Sequence, residues 1–168
     1  MLEIHLTSRD QKRIHEILKT YQVQKEVQSM QKFVQHGHTS TYQHSMNVVR
    51  LSYWLNKHFH LHADEKALLV GALLHDFYLY DWHEKSTWHR WHGFSHPFRA
   101  AGNARKIFEI NEKEKHIIES HMWPLTFRHV PTCREAIIVC LADKYCAVVE
   151  SMFQRARVAD ADAPDNEW

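Results

Sequence analysis

The stretch Ala67-Leu68-Leu69-Val70-Gly71-Ala72-Leu73-Leu74-His75-Asp76 decides how this chain folds. It reads as part of a helix from about Ala63 to Asp76, with Leu69, Ala72, Leu73 and Asp76 on one side. So apolar a helix belongs in a core, yet it closes on an imidazole beside a carboxylate. Burying that pair is costly unless both groups are paired or ligated. Candidate partners lie at His44 upstream and at His96, His121 and Asp143 downstream.

Outward from this stretch, almost every periodic segment reads as helix. A first helix follows a Ser8 or Asp10 cap and carries Ile14, Ile17, Leu18 and Tyr21. A second covers roughly Gln24 to Val34 and ends near Gly37. Thr39-Ser40-Thr41 caps a long helix to about His58, with His44, Val48, Leu51 and Leu55 on one stripe. Phe77 to Phe94 is dense in Trp, Tyr and His without clear period, and reads as a long ordered loop. Ser95 and Pro97 mark a helix start that continues to about Ile110. Asn111-x-x-Glu114 and Thr132-x-x-Glu135 resemble capping boxes, the first for a short helix ending near His121, the second for a helix to about Gln154. The expectation is an all-α fold: about five core helices plus one or two N-terminal ones, in a single domain over residues 1–155. A partly disordered tail follows over 156–168.

Composition narrows the function. The chain has 168 residues, the size of one domain, and its net charge of +1 offers no electrostatic footprint for nucleic acid. The cysteines Cys133, Cys140 and Cys146 are odd in number and form no C-x-x-C pair, which argues against a disulfide framework or a thiolate zinc site. No apolar run reaches membrane-spanning length and the N-terminus has no signal-peptide core, so a cytoplasmic protein is expected. Histidine is abundant at 16 residues, and neutral imidazole is the commonest metal ligand.

The six polar candidates sit where helices begin, end or face the core. Asp143 shares a stripe with Ala136, Val139, Cys140 and Ala147, and His121 follows Ile117 and Ile118 on one face. Helical bundles build metal sites in this way, from inward ligands on facing helices. Four imidazoles and two carboxylates exceed the needs of one tetrahedral ion and suit two ions sharing a carboxylate, for which Asp76 is the natural bridge. Such a donor set accepts iron, manganese, zinc, cobalt or nickel.

The pattern His44…His75-Asp76…Asp143 resembles the signature of the HD-domain superfamily of metal-dependent phosphohydrolases. The resemblance spans roughly Thr41 to Phe153. It is carried by Tyr42-Gln43-His44-Ser45-Met46-Asn47-Val48-Val49, by Gly71-Ala72-Leu73-Leu74-His75-Asp76 and by Leu141-Ala142-Asp143-Lys144. His96 and His121 occupy the places of the two extra histidines of the superfamily's dinuclear branch. The resemblance implies one ion held by His44, His75, Asp76 and Asp143, and a second reached through Asp76 and held by His96 and His121. Where many dinuclear members carry a lysine three residues after the motif aspartate, this chain has Leu79.

The function so implied is hydrolysis of a phosphate ester of a small molecule, a nucleotide first, by a metal-activated water. Two divalent transition-metal ions are expected, iron first. Di-iron oxygenation on the same ligand set, and a non-catalytic metal- or nucleotide-binding module, are the alternatives. Asp76 and His92 are the catalytic candidates, with His92 as a general acid. His89, Arg99 and Lys144 are the candidates for substrate binding, Arg99 because it lies one turn beyond His96. Trp82, Trp91 and Trp123 are read chiefly as core fillers, with base stacking as the lesser reading. His5, His15, His58, His60 and His62 are assigned to the surface.

Overall fold

The computed structural model describes residues 4–36, 39–80 and 92–161, the side chains at 36, 92 and 153–161 excepted. Helices α1 (Ser8–Gln22) and α2 (Lys25–Ser29) precede a short 3-10 turn, Met30–Lys32. A small antiparallel hairpin follows, β1 (Val34–His36) against β2 (Thr39–Ser40), with Val34 opposite Ser40. Then come α3 (Thr41–His58), α4 (Glu65–Leu74), α5 (His92–Phe108), α6 (Glu112–Ser120) and α7 (Arg134–Ala161). The fold is all-α, as the periodicity predicts.

Helix α4 is the centre of the bundle. Its residues from Ala67 to Leu74 are all buried, and α1, α3, α5, α6 and α7 all pack on it. An apolar helix without a polar face has no stable place but the middle of a core. The Asp64 side chain accepts from the Ala67 N–H and starts it, while His75 caps its far end. Asp76 therefore lies just beyond the helix, which ends two residues short of the sequence expectation. Close packing needs Gly71. A Cβ built there would stand 2.6 Å from Ile117 Cγ2 and 3.0 Å from Ile117 Cβ on α6. Ile117 is fully buried and β-branched, so it cannot swing aside. The glycine thus sets how near α6, with His121 at its end, approaches α4.

Several boundaries differ from the sequence reading. The cap of α1 is Thr7, in a capping box with Asp10. The segment expected as one helix to Val34 instead stops at Ser29 and turns into the hairpin, because Thr41 ties it back by donating N–H to the Phe33 carbonyl at 2.8 Å. Helix α5 starts at His92, not Ser95, and contains Pro97. The proline removes only the donor for the Gly93 carbonyl, within the first turns. The Asn111–Glu114 box forms, but Thr132–Glu135 does not. Thr132 instead donates to His116 Nε2, and Glu135 Oε1 accepts from the Asp64 N–H at 2.7 Å, tying α7 to the start of α4. Helix α7 runs to Ala161, beyond the expected end near Gln154 and into the expected tail; residues 162–168 lie outside the described ones.

Asp10 braces α1 against α3. Its carboxylate accepts from Lys57 Nζ at 2.7 and 2.9 Å and from the Thr7 N–H and hydroxyl. The Lys57 hydrogen bond, opposed by burial and helped by Thr7, pulls its pKa down to about 2. A depressed carboxyl pKa stabilises the fold above the unfolded value, and that contribution is lost as the pH falls towards 2. Asp10→Asn is expected to cost on the order of 1–2 kcal/mol near neutrality and to flatten the acid limb between pH 4 and 2, read by urea unfolding across that range. Gly71→Ala should destabilise by about 1–3 kcal/mol. Combined with Ile117→Ala its cost should shrink, a positive coupling that a double-mutant cycle would measure.

Candidate metal centre

The structure brings His44, His75, Asp76, His96, His121 and Asp143 together, from α3, the end of α4, the first turns of α5, the end of α6 and the middle of α7. All six are buried. Three of the imidazoles have their inner nitrogen set by a partner of the outer one. His75 Nδ1 donates to the Ala72 carbonyl at 2.8 Å, and His121 Nδ1 donates to the Ile118 carbonyl at 2.7 Å. A carbonyl only accepts, so the proton lies on Nδ1 and Nε2 faces inward. His44 Nδ1 sits 2.9 Å from Glu150 Oε2, while its Nε2 lies 3.0 Å from Asp143 Oδ1. Asn47 Nδ2 holds the other Glu150 oxygen at 2.9 Å.

Asp76 stands between two groups of these nitrogens. Its Oδ2 lies 3.3 Å from His75 Nε2 and 3.9 Å from His44 Nε2. Its Oδ1 lies 3.2 Å from His96 Nε2 and 3.6 Å from His121 Nε2. The two Nε2 atoms of His96 and His121 approach to 3.0 Å. Two triads, His44 with His75 and Asp143, and His75 with Asp76 and His121, each gather ligand atoms within 4.8 Å of one another. His75 Nε2 and Asp76 Oδ1 are buried with no hydrogen-bond partner. Their nearest polar neighbours are close enough for strong electrostatics but lack bonding geometry. Buried polar atoms are rarely left so, and converging orphans of this chemistry fit a cation.

Protons on imidazoles offset much of the carboxylate charge in the cluster. Burial pushes the His44 imidazole down, but Asp143 and Glu150 outweigh it and raise its pKa to about 9. Burial likewise opposes the charged form of His75, yet the Asp76 and Asp143 carboxylates hold it well above its ordinary value. Burial favours neutral carboxyls at Asp76 and Asp143. The facing imidazoles override it and hold both well below the usual range. His121 goes the other way: burial, with His75 and His96 beside it, lowers it to about 3. Protonated His44 and His75 thus occupy the electrostatic role that a divalent ion would take.

A cavity of about 580 Å³ opens onto this cluster. Asp76, His96, His121 and Asp143 line its floor, and Met122, Leu125 and Ala147 form an apolar wall. Lys144 also lines it, with Nζ donating to the His121 carbonyl at 2.8 Å and resting 3.3 Å from Cys140 Sγ. Arg99 is exposed and does not line the cavity; its guanidinium lies 5.2 Å from the Tyr80 ring centroid. Burial of His96 and exposure of Arg99, one turn on, separate the two. His92 is the first residue of α5, beside Gly93 of the cavity wall. His89, Trp82 and Trp91 lie outside the described residues. Trp123, expected as a core filler, is 39% exposed, because it follows the end of α6 on a surface turn. His5, His15, His58, His60 and His62 are exposed.

Gln35 and Glu150 are the functional candidates that the sequence reading missed. Gln35 Nε2 donates to Asp76 Oδ2 at 2.6 Å. Nothing in the pattern marks it, since its segment reads as helix until the hairpin is seen. Glu150 carried a signal: it lies two turns after Asp143 on α7, on the same face.

The HD-domain family model matches residues 41–148, nearly two-thirds of the chain. The chain belongs to the HD-domain family, whose members are generally metal-dependent phosphohydrolases. No curated protein and no solved structure matches it. No helix among the described residues is long and apolar enough to cross a membrane.

Divalent metal added to chelated protein at pH 7 is expected to release protons from His44 and His75 and none from His121. Calorimetry in buffers of different ionisation enthalpy reads this release; binding without it would contradict the assignment of raised and lowered imidazoles.

Proposed function

We propose that this protein is a dinuclear metal-dependent phosphohydrolase acting on a small phosphorylated molecule, a nucleotide first. The observation that carries the reading is the division of Asp76. One carboxylate oxygen faces His44 and His75, and the orphaned other faces His96 and His121. His44, His75, Asp143 and Asp76 Oδ2 would hold one ion, and His96, His121 and Asp76 Oδ1 the second. The donor set is nitrogen and oxygen without thiolate, which suits iron first, then manganese, zinc, cobalt or nickel. When bound, such a pair supplies a water acidic enough to attack phosphorus at neutral pH and positive charge to neutralise the phosphoryl oxygens.

The chain's own residues prepare that chemistry. Backbone carbonyls of Ala72 and Ile118 and the Glu150 carboxylate turn ring nitrogens inward before any ligand arrives, so little reorganisation is left for the reaction. Met122, Leu125 and Ala147 give one wall of the cavity an apolar surface, which strengthens charge interactions beside it. Lys144 places a cation on the cavity wall. His92, at the head of α5, is the candidate to protonate the leaving group. The cavity volume of about 580 Å³ lies in the range of small-molecule sites.

Metal analysis of anaerobically purified protein, followed by phosphatase and nucleotidase panels with that metal restored, tests the reading. Asp76→Ala should lose metal and abolish turnover; a variant that holds two ions and hydrolyses substrate normally would sink it. Glu150→Gln should keep the fold and weaken metal binding by about 10–100-fold, measured by competition with a chromophoric chelator.

A further inference from the structure

Gln35 lies on β1, outside the span that matches the family model. It is buried and lines the cavity beside Asp76. Its carboxamide is held at both ends. Oε1 accepts from the Tyr78 hydroxyl and lies 3.4 Å from Thr41 Oγ1. Thr41 and Tyr78 are themselves 3.2 Å apart, hydroxyl to hydroxyl. With the Tyr78 hydroxyl proton directed at Oε1, the nitrogen faces the carboxylate, at 2.6 Å from Asp76 Oδ2.

A carboxamide nitrogen carries two hydrogens. One is committed to Asp76; the second has no partner among the described residues. This donor belongs to a side chain on the wall of the cavity that the cluster floors, where it can meet whatever occupies that cavity. The acceptor it suits is an oxyanion oxygen bound next to Asp76.

We propose that Gln35 is a substrate-contacting residue: one N–H orients Asp76, and the other donates to a non-bridging oxygen of the bound phosphoryl group. The proposal rests on the phosphohydrolase reading and adds a specific donor to it. Being neutral, the amide recognises the tetrahedral oxyanion by geometry rather than by charge. Because Tyr78 and Asp76 fix its orientation in advance, little rotamer entropy is lost when the anion arrives.

The test uses inorganic phosphate as the probe and full-length protein at saturating metal, with metal stoichiometry and melting temperature checked for each variant. Gln35→Met keeps the side chain's length and removes both donors. It should fold, and should bind phosphate roughly 10-fold or more weakly than wild type by calorimetry, since a hydrogen bond to a charged group is lost. Gln35→Glu, nearly isosteric, keeps at most one proton, shared with Asp76, and so has no donor left for an anion; it provides the second reading if the methionine variant fails to hold metal. It should weaken phosphate at least as much. Wild-type phosphate affinity in either metal-loaded variant would overturn the assignment. If the metal-loaded wild-type protein itself binds no phosphate and hydrolyses no phosphate ester, the phosphohydrolase reading fails first, and the role of Gln35 with it.

Discussion

The carboxylate of Asp76 is buried where α3, α5, α6 and α7 converge on the end of α4, and the rest of the structure accommodates it. A lone buried charge is among the most expensive features a fold can carry. Here it is met on one side by His44 and His75, on the other by His96 and His121, and at Oδ2 by the Gln35 amide. Protonated His44 and His75 offset much of its charge and that of Asp143. The same electrostatics suits a divalent cation, which can exchange for those protons.

Packing determines whether these groups meet. Helix α4 contributes no side chain to the cluster before His75, yet every helix that does contribute one rests on it. Gly71 lets Ile117 of α6 sit against its backbone, and that contact sets the depth at which His121 enters. Glu135 of α7 caps the start of α4 from outside, so the helix that bears Asp143 is tied to both ends of the central one. Interiors packed this densely transmit small displacements, so the geometry of the cluster is a property of the whole bundle.

Much of this was legible in the chain. The apolar run into His75-Asp76, the inward stripe around Asp143 and the placement of His121 after Ile117-Ile118 put the six residues on buried faces, and local rules of burial and period suffice for that. The hairpin was not legible, because Gln24 to Val34 has helical character and only the tie from Thr41 to Phe33 breaks it. Gln35 was therefore invisible as a partner of Asp76. Thr132-x-x-Glu135 has the spacing of a capping box, but His116 and Asp64 claim its two side chains through contacts distant in sequence.

The sequence by itself determined the fold class, the family and the identity of the six clustered residues, because hydrophobic period and the cost of burying charge act locally along a chain. Only the tertiary structure decided how Asp76 divides its two oxygens, which nitrogen each of His44, His75 and His121 presents, and that Gln35 and Glu150 brace the cluster. Those facts depend on distances between elements far apart in the chain, which no local pattern encodes.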